Sequence, residues 1–269
     1  AADIRALVQD VLSDADARAS LQDSGATAGW EKGNGFFLRS ADGSYSLRIA
    51  GQVQSRLVWN HQNNSPTDDD RYGFETRRAK LFFRGNIIDP SWSYEFEING
   101  SRTSGTISEG ENVWLQKDFG GGFKVRVGQF KPNYLREEEV SSRNLPGIER
   151  SQVNGQFTAG TAQGVQASYE TDGWRVFAAI IDGFNTGGTP FSAEDNEFAA
   201  TARAEFLPMG TWKTAADDTG FRGTEDTLLI GVGLGYQKAE YGTGINAAPP
   251  DFNNAEVSDL GLTADVMFK

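Results

Sequence analysis

Residues 123–161 read FKVRVGQFKPNYLREEEVSSRNLPGIERSQVNGQFTAGT. The first eight, Phe123 to Phe130, alternate apolar and polar as a half-buried strand does. The alternation stops at Lys131-Pro132, because proline has no N–H to give a ladder. About thirty residues then pass with neither a strand nor a helix period, until alternation resumes near Gln163. A connection of that length is uncommon in a compact domain and is usually functional. It carries dense charge of both signs: Lys131, Arg136, Glu137, Glu138, Glu139, Arg143, Glu149 and Arg150. The rest of the chain reads as short hairpins arranged around this loop, 131–162.

Outward from it the period is two nearly everywhere. Over 45–59 the odd positions are Tyr45, Leu47, Ile49, Gly51, Val53, Ser55, Leu57 and Trp59, while Arg48, Gln52, Gln54 and Arg56 lie between them. Residues 76–87 set Ala79, Leu81, Phe83 and Ile87 against Arg78, Lys80, Phe82 and Arg84. Residues 92–100 set Trp92, Tyr94, Phe96 and Ile98 against Glu95 and Glu97. Further strands are predicted at 112–118, 163–170, 174–182, 197–206, 227–238 and 259–268, about ten in all. Fifteen alternating residues at 45–59 exceed the usual soluble strand of about five or six. About ten tilted residues cross an outer-membrane hydrocarbon layer.

The connections alternate in length. The joints 88–91, 119–122 and 171–173 are short, whereas 60–71, 101–111, 131–162, 183–196 and 239–258 are long. Short periplasmic turns and long outer loops are the rule for outer-membrane barrels. Residues 207–226 break it, as a missed hairpin or as an insertion. Tyr45, Trp59, Trp92, Tyr169, Trp174 and Tyr236 fall near strand ends, as interfacial aromatic girdles require.

Composition is compatible with this reading. The 269 residues carry a net charge of −12, which disfavours a nucleic-acid partner. Cysteine is absent, so there is no disulfide framework. No run approaches the about eighteen apolar residues of a membrane helix, but a barrel needs only every second residue apolar. The beginning at Ala1-Ala2-Asp3 is what cleavage after export leaves, and equally what a trimmed chain shows. Residues 2–22 read as an amphipathic helix, with Ile4, Leu7, Val8, Val11, Leu12 and Ala15 in one stripe. It is open to two uses, a coiled coil or packing on its own domain. The expected organisation is an N-terminal periplasmic helix (1–24), a linker (25–44) and an all-β, antiparallel transmembrane barrel (45–269).

At this point the chain resembles the phosphate-selective porins of types O and P. The likeness rests on Arg77-Arg78-Ala79-Lys80-Leu81-Phe82-Phe83-Arg84-Gly85, on Val127-Gly128-Gln129-Phe130-Lys131-Pro132 and on Glu149-Arg150-Ser151. The resemblance implies a homotrimer of barrels of about sixteen strands, each narrowed by its third outer loop. It also implies a bacterial outer-membrane location among lipids and lipopolysaccharide, with small anions or polar solutes as cargo. Residues 131–162 are the third long joint. The chain ends at Met267-Phe268-Lys269, without the terminal aromatic the resemblance implies, and about ten strands are too few, so the expectation is a C-terminally incomplete barrel. A lysine-rich loop and a dense arginine ladder, which the true phosphate channels have, are not evident.

A passive pore works through the field of its lumen rather than through a nucleophile. The expected lumen-facing cations are Arg48, Arg56, Arg78, Lys80, Arg84, Lys124, Arg126 and Arg203, with Glu95, Glu97, Glu205 and Asp265 offsetting them. A basic wall facing the acidic loop would create a transverse field. No cofactor or metal is expected, since no GxGxxG, Walker or zinc pattern occurs. The Asp68-Asp69-Asp70 tip lacks EF-hand spacing, and His61, the one histidine, has no nucleophile and acid arranged with it. Two other classes stay open: a structural or adhesive outer-membrane barrel tethered to the cell wall or a periplasmic partner by its N-terminal helix, and a soluble β-sandwich binding module.

Overall fold

The computed structural model describes residues 25–32, 35–62, 69–100, 107–187, 196–219, 225–240 and 256–269. They form one antiparallel sheet of 12 strands whose spatial order equals their sequence order. The strands are β1 (Ala26–Glu31), β2 (Gly35–Ser40), β3 (Ser46–Gln62), β4 (Asp69–Asn86), β5 (Trp92–Gly100) and β6 (Ile107–Gly120). They continue as β7 (Phe123–Phe130), β8 (Ala162–Glu170), β9 (Trp174–Ile181), β10 (Asn196–Met209), β11 (Leu228–Glu240) and β12 (Glu256–Phe268). The ladder runs from β1 to β12, and no β1–β12 pairing closes it among the described residues.

The all-β, antiparallel expectation holds, and two details change. The stretch 25–44, expected as a linker, folds as β1 and β2, which pair with each other and join β3. These strands are six residues each, and the apolar run Phe36-Phe37-Leu38 hides their alternation. Strands β3 and β4 are 17 and 18 residues long and take in both ends, half of the joint expected at 60–71. Their outer ends are polar, so hydropathy loses them, yet the ladder continues to His61↔Asp70 and Gln62↔Asp69. The predicted N-terminal helix lies outside the described residues.

The burial is inverted relative to a water-soluble protein. Apolar side chains of one face stand exposed, Phe74 at 91% and Leu262 at 81%, together with Val53, Leu57, Ile180, Val232 and Val266. The opposite face buries Gln52, Lys80, Glu95, Gln166 and Gln237, with Glu97 at 1% and Arg203 at 2%. Each large apolar side chain left in water forgoes about 1.5–3 kcal/mol. A whole face of them suits lipid, and no helix among the described residues is long and apolar enough to cross a membrane instead. Exposed aromatics gather near strand ends: Phe119, Phe123, Tyr169, Trp174, Phe206 and Phe268 toward one edge of the sheet, Trp59, Tyr72 and Phe74 toward the other.

The sheet must be curled. Tyr134 approaches Gly261 on β12, while Ser142, eight residues later, hydrogen-bonds Gln52 on β3 at 3.1 Å. Nine strand spacings in a flat sheet would span about 43 Å. Eight residues reach at most about 28 Å. The 131–161 segment therefore lies inside a concave sheet and touches both sides of it.

Candidate functional site

Pro132 ends β7 and is fully buried where the chain turns inward. Two short helices follow, α1 (Arg136–Glu139) and α2 (Gln152–Phe157). Ser151 caps α2 by accepting from Asn154 N at 3.1 Å. The three consecutive glutamates have three separate tasks. Glu137 accepts from Ser151 N at 2.7 Å and ties α1 to the start of α2. Glu138 accepts from Asn154 Nδ2 at 2.6 Å and pairs with Lys131 and Arg150. Glu139 faces Arg203 and Arg175 on the wall, at 3.0 and 3.9 Å. Arg150 donates to the carbonyls of Glu137 and Val140 at 3.0 and 2.8 Å, which closes the loop on itself. Glu149 reaches the wall at Arg77 (2.9 Å) and Arg56 (2.7 Å), and the hydrogen bond from Arg77, helped by the charges of Arg77 and Arg56, holds its carboxyl below the usual range.

The loop also fits a slot in the wall. Gly231, Gly233 and Gly235 alternate on the inner face of β11. A Cβ at Gly233 would meet the carbonyl oxygen of Tyr134, and one at Gly235 would lie 3.2 Å from its ring. A Cβ at Gly231 would meet the Arg203 guanidinium. Tyr134 joins Phe130, Ala159, Ala162, Ile181 and Phe184 in an apolar cluster within the concave side.

Six of the eight wall cations expected from the sequence are neutralised by nearby acids. Arg48 pairs with Glu31 (3.4 Å), Arg56 with Glu75 (2.8 Å), Arg84 with Glu95 (2.7 Å) and Lys80 with Glu97 (2.8 Å). Arg78 donates to Gln54 (2.8 Å) and the Ile148 carbonyl (2.5 Å) and lies 3.8 Å from Glu149. Arg203 forms a two-pronged pair with Asp265, both contacts at 2.8 Å, and donates to Glu205 at 2.9 Å. Lys124 and Arg126 differ. Arg126 donates Nε and Nη2 to one acceptor, Gln116 Oε1, at 3.1 and 3.0 Å, and stacks over Trp114 at 4.3 Å. No carboxylate among the described residues comes within ion-pair distance of either. In the loop, Arg143 contacts the face of Phe82 at 5.2 Å, and Phe82 also carries Arg84 at 4.8 Å.

Three cavities lie in series through this arrangement. The first, about 530 Å³, is lined by Arg77, Arg78, Asn99 and Thr161 toward the long-loop edge. The second, about 210 Å³, shares Lys80, Glu111, Lys131, Glu138 and Arg150 with it. The third, about 290 Å³, lies toward the short turns and shares Arg126, Asn133 and Glu139 with the second. Those three residues form a neck. Glu139 is buried there beside Glu205, and Arg203 Nε is directed at Glu205, so neither Glu139 oxygen has a hydrogen-bond donor. Burial first, and then Glu205, raise its carboxyl to about 7 against the pull of Arg203, Arg175 and Arg136.

The acidic loop does not stand apart from the basic wall: Glu137 is held by hydrogen bonds, and Glu138, Glu139 and Glu149 form ion pairs. Several contributors escaped the sequence reading. Period two assigns Arg77 to the outer face, but a β-bulge between Gln54 and Ser55 inserts one residue into β4 and turns Arg77 toward Glu149. Glu111 lies in a stretch read as a loop, yet it bridges Lys80 and Lys131, both at 2.9 Å. Arg175, between Trp174 and Val176, joins Glu205 at 2.5 Å.

A family model, phosphate-selective porin O and P, matches residues 51–244. The search of curated proteins found no match.

Proposed function

From the chain's membership of the phosphate-selective porin O and P family, we propose that it forms a water-filled outer-membrane channel that passes small anions in preference to cations. The observation that carries the sign is the neck, where no carboxylate among the described residues pairs with Arg126, whose acidic neighbour Glu95 is already paired with Arg84, while most surrounding cations are neutralised. A guanidinium in such a place offers paired donors to an oxyanion without first having to release a carboxylate. Lys124, lining the third cavity, extends the positive field toward the short turns. Paired residues such as Lys80 with Glu97 and Glu111 shape the wall and contribute little net charge. The inverted burial supports a lipid-facing exterior and the alternation of joints supports periplasmic short turns. The family's homotrimer is part of the same reading.

Bilayer recording across a KCl gradient tests it. The expected result is conductance in steps of three with a reversal potential of the anion-preferring sign. Arg126→Gln should lower the anion preference several-fold with the channel still open. An unchanged reversal potential in Arg126→Gln would reject Arg126 as the determinant. Phosphate reducing the chloride current would narrow the cargo to oxyanions, and no reduction would leave a general anion pore.

A further inference from the structure

The joint between β10 and β11, 210–227, lies at the edge of the sheet where the other joints are short turns, such as 121–122 and 171–173. It is not a missed hairpin among the described residues. Gly210, at φ +93°, turns the chain inward, and Thr211 with Thr214 forms a capping box around α3 (Trp212–Ala215). The segment is firmly held. Trp212 Nε1 donates to the Thr171 carbonyl at 2.6 Å, and Arg175 stacks on its ring at 4.4 Å. Ala215 is buried with Leu207 and Leu229. Lys269 Nζ donates to the Asp217 carbonyl at 2.6 Å.

This insert meets the loop that enters from the opposite edge. Arg136 donates to the Ala215 carbonyl and lies 3.1 Å from Asp218. Asn144 Nδ2 donates to the Ala216 carbonyl at 3.3 Å, and Asp218 N donates to the Asn144 carbonyl at 3.0 Å. Ala216 also lines the third cavity, next to Arg126 and Glu139. The contacts fasten the loop after α1, which is otherwise held to β3 through Gln52 and Gln54 and to β4 through Arg78 and Phe82, while Glu139 at the end of α1 is held by Arg175 and Arg203.

We propose that the 210–219 insert is the floor of the constriction: it latches the 131–161 loop through Arg136 and Asn144, and so sets the open width of the pore and its resistance to voltage-driven closure. Arg136 and Asp218 are positioning residues in this scheme, since they act on permeation through the loop. The proposal rests on the channel reading and extends it. With the latch intact the loop cannot swing across the lumen. With it broken the loop moves about its remaining anchors, which produces noisy openings and closure at lower voltage.

Two changes test it in the purified full chain. Arg136→Met removes the latch donor and keeps an apolar stem for the burial site. The pair Asn144→Cys with Asp218→Cys replaces the latch by a disulfide in a chain that has no cysteine of its own. The expected result is a several-fold faster closure under voltage, with noisier current, for Arg136→Met and for the reduced pair, and a return to wild-type behaviour when the pair is oxidised. If Arg136→Met does not fold, the oxidised and reduced forms of one preparation still give the comparison. Identical closure in those two forms overturns the latch. A silent wild-type protein would instead defeat the channel reading itself.

Discussion

Glu139 is the side chain at the neck through which the pore is expected to respond to pH. Its carboxyl is raised to about 7 because burial and Glu205 outweigh the neighbouring guanidinium groups. Below that value the group is neutral and adds no charge to oppose Arg126. Above it the carboxylate offsets Arg126. Anion preference should therefore fall as pH rises through about 7, and Glu139→Gln should hold the acid-side preference at every pH; reversal potentials across a pH series measure both. The sign for stability follows the same raised value. The folded state binds the extra proton, so its contribution is complete below the ordinary carboxylate range and is lost as pH rises through about 7. Gly233 shows the opposite dependence, on volume alone. A side chain there collides with the Tyr134 carbonyl. Gly233→Val should push the loop off β11 into the lumen, lower single-channel conductance and cost about 1–3 kcal/mol in unfolding measurements.

At the scale of elements, two segments enter the concave side of the sheet from opposite edges and meet there. The 131–161 loop was legible as a loop: Lys131-Pro132 ends β7, and no period follows. Its inward course was not. That depends on Glu149 reaching Arg56 and Arg77, on the slot at Gly233 and Gly235, and on the insert at Ala215 and Asp218. Each partner lies tens of residues away in sequence, where local patterning carries no signal. The double arginine makes the same point. The sequence shows Arg77-Arg78, and only the bulge, a defect of register between two strands, lets both guanidinium groups face Glu149. The same logic makes the latch test an element-scale prediction, because it asks whether two segments move as one.

For the whole molecule the decisive property is the inverted burial. In a soluble sandwich an exposed Val53 is simply a surface residue, and Val53→Arg would be close to neutral. In a barrel Val53 lies near the middle of the 17-residue β3 and faces acyl chains. Val53→Arg should then destabilise the folded protein in lipid vesicles by about 2–4 kcal/mol, with Val53→Ala costing much less. Urea titration of vesicle-inserted protein distinguishes the two cases.

The sequence by itself determined the strands, their faces and the asymmetry of the joints, because period two and turn chemistry are local properties of the chain. It also placed the basic candidates on one face, since parity along a strand dictates side. It missed β1 and β2, which are too short and too uniformly apolar around Phe36-Phe37-Leu38 for alternation to appear. Which cations are neutralised, and which meet no carboxylate among the described residues, was decided only by tertiary structure. Lys80 and Arg126 look alike as basic residues on alternating strands. One meets Glu97 and Glu111 and the other meets Gln116, because curling the sheet around the loop determines which side chains become neighbours.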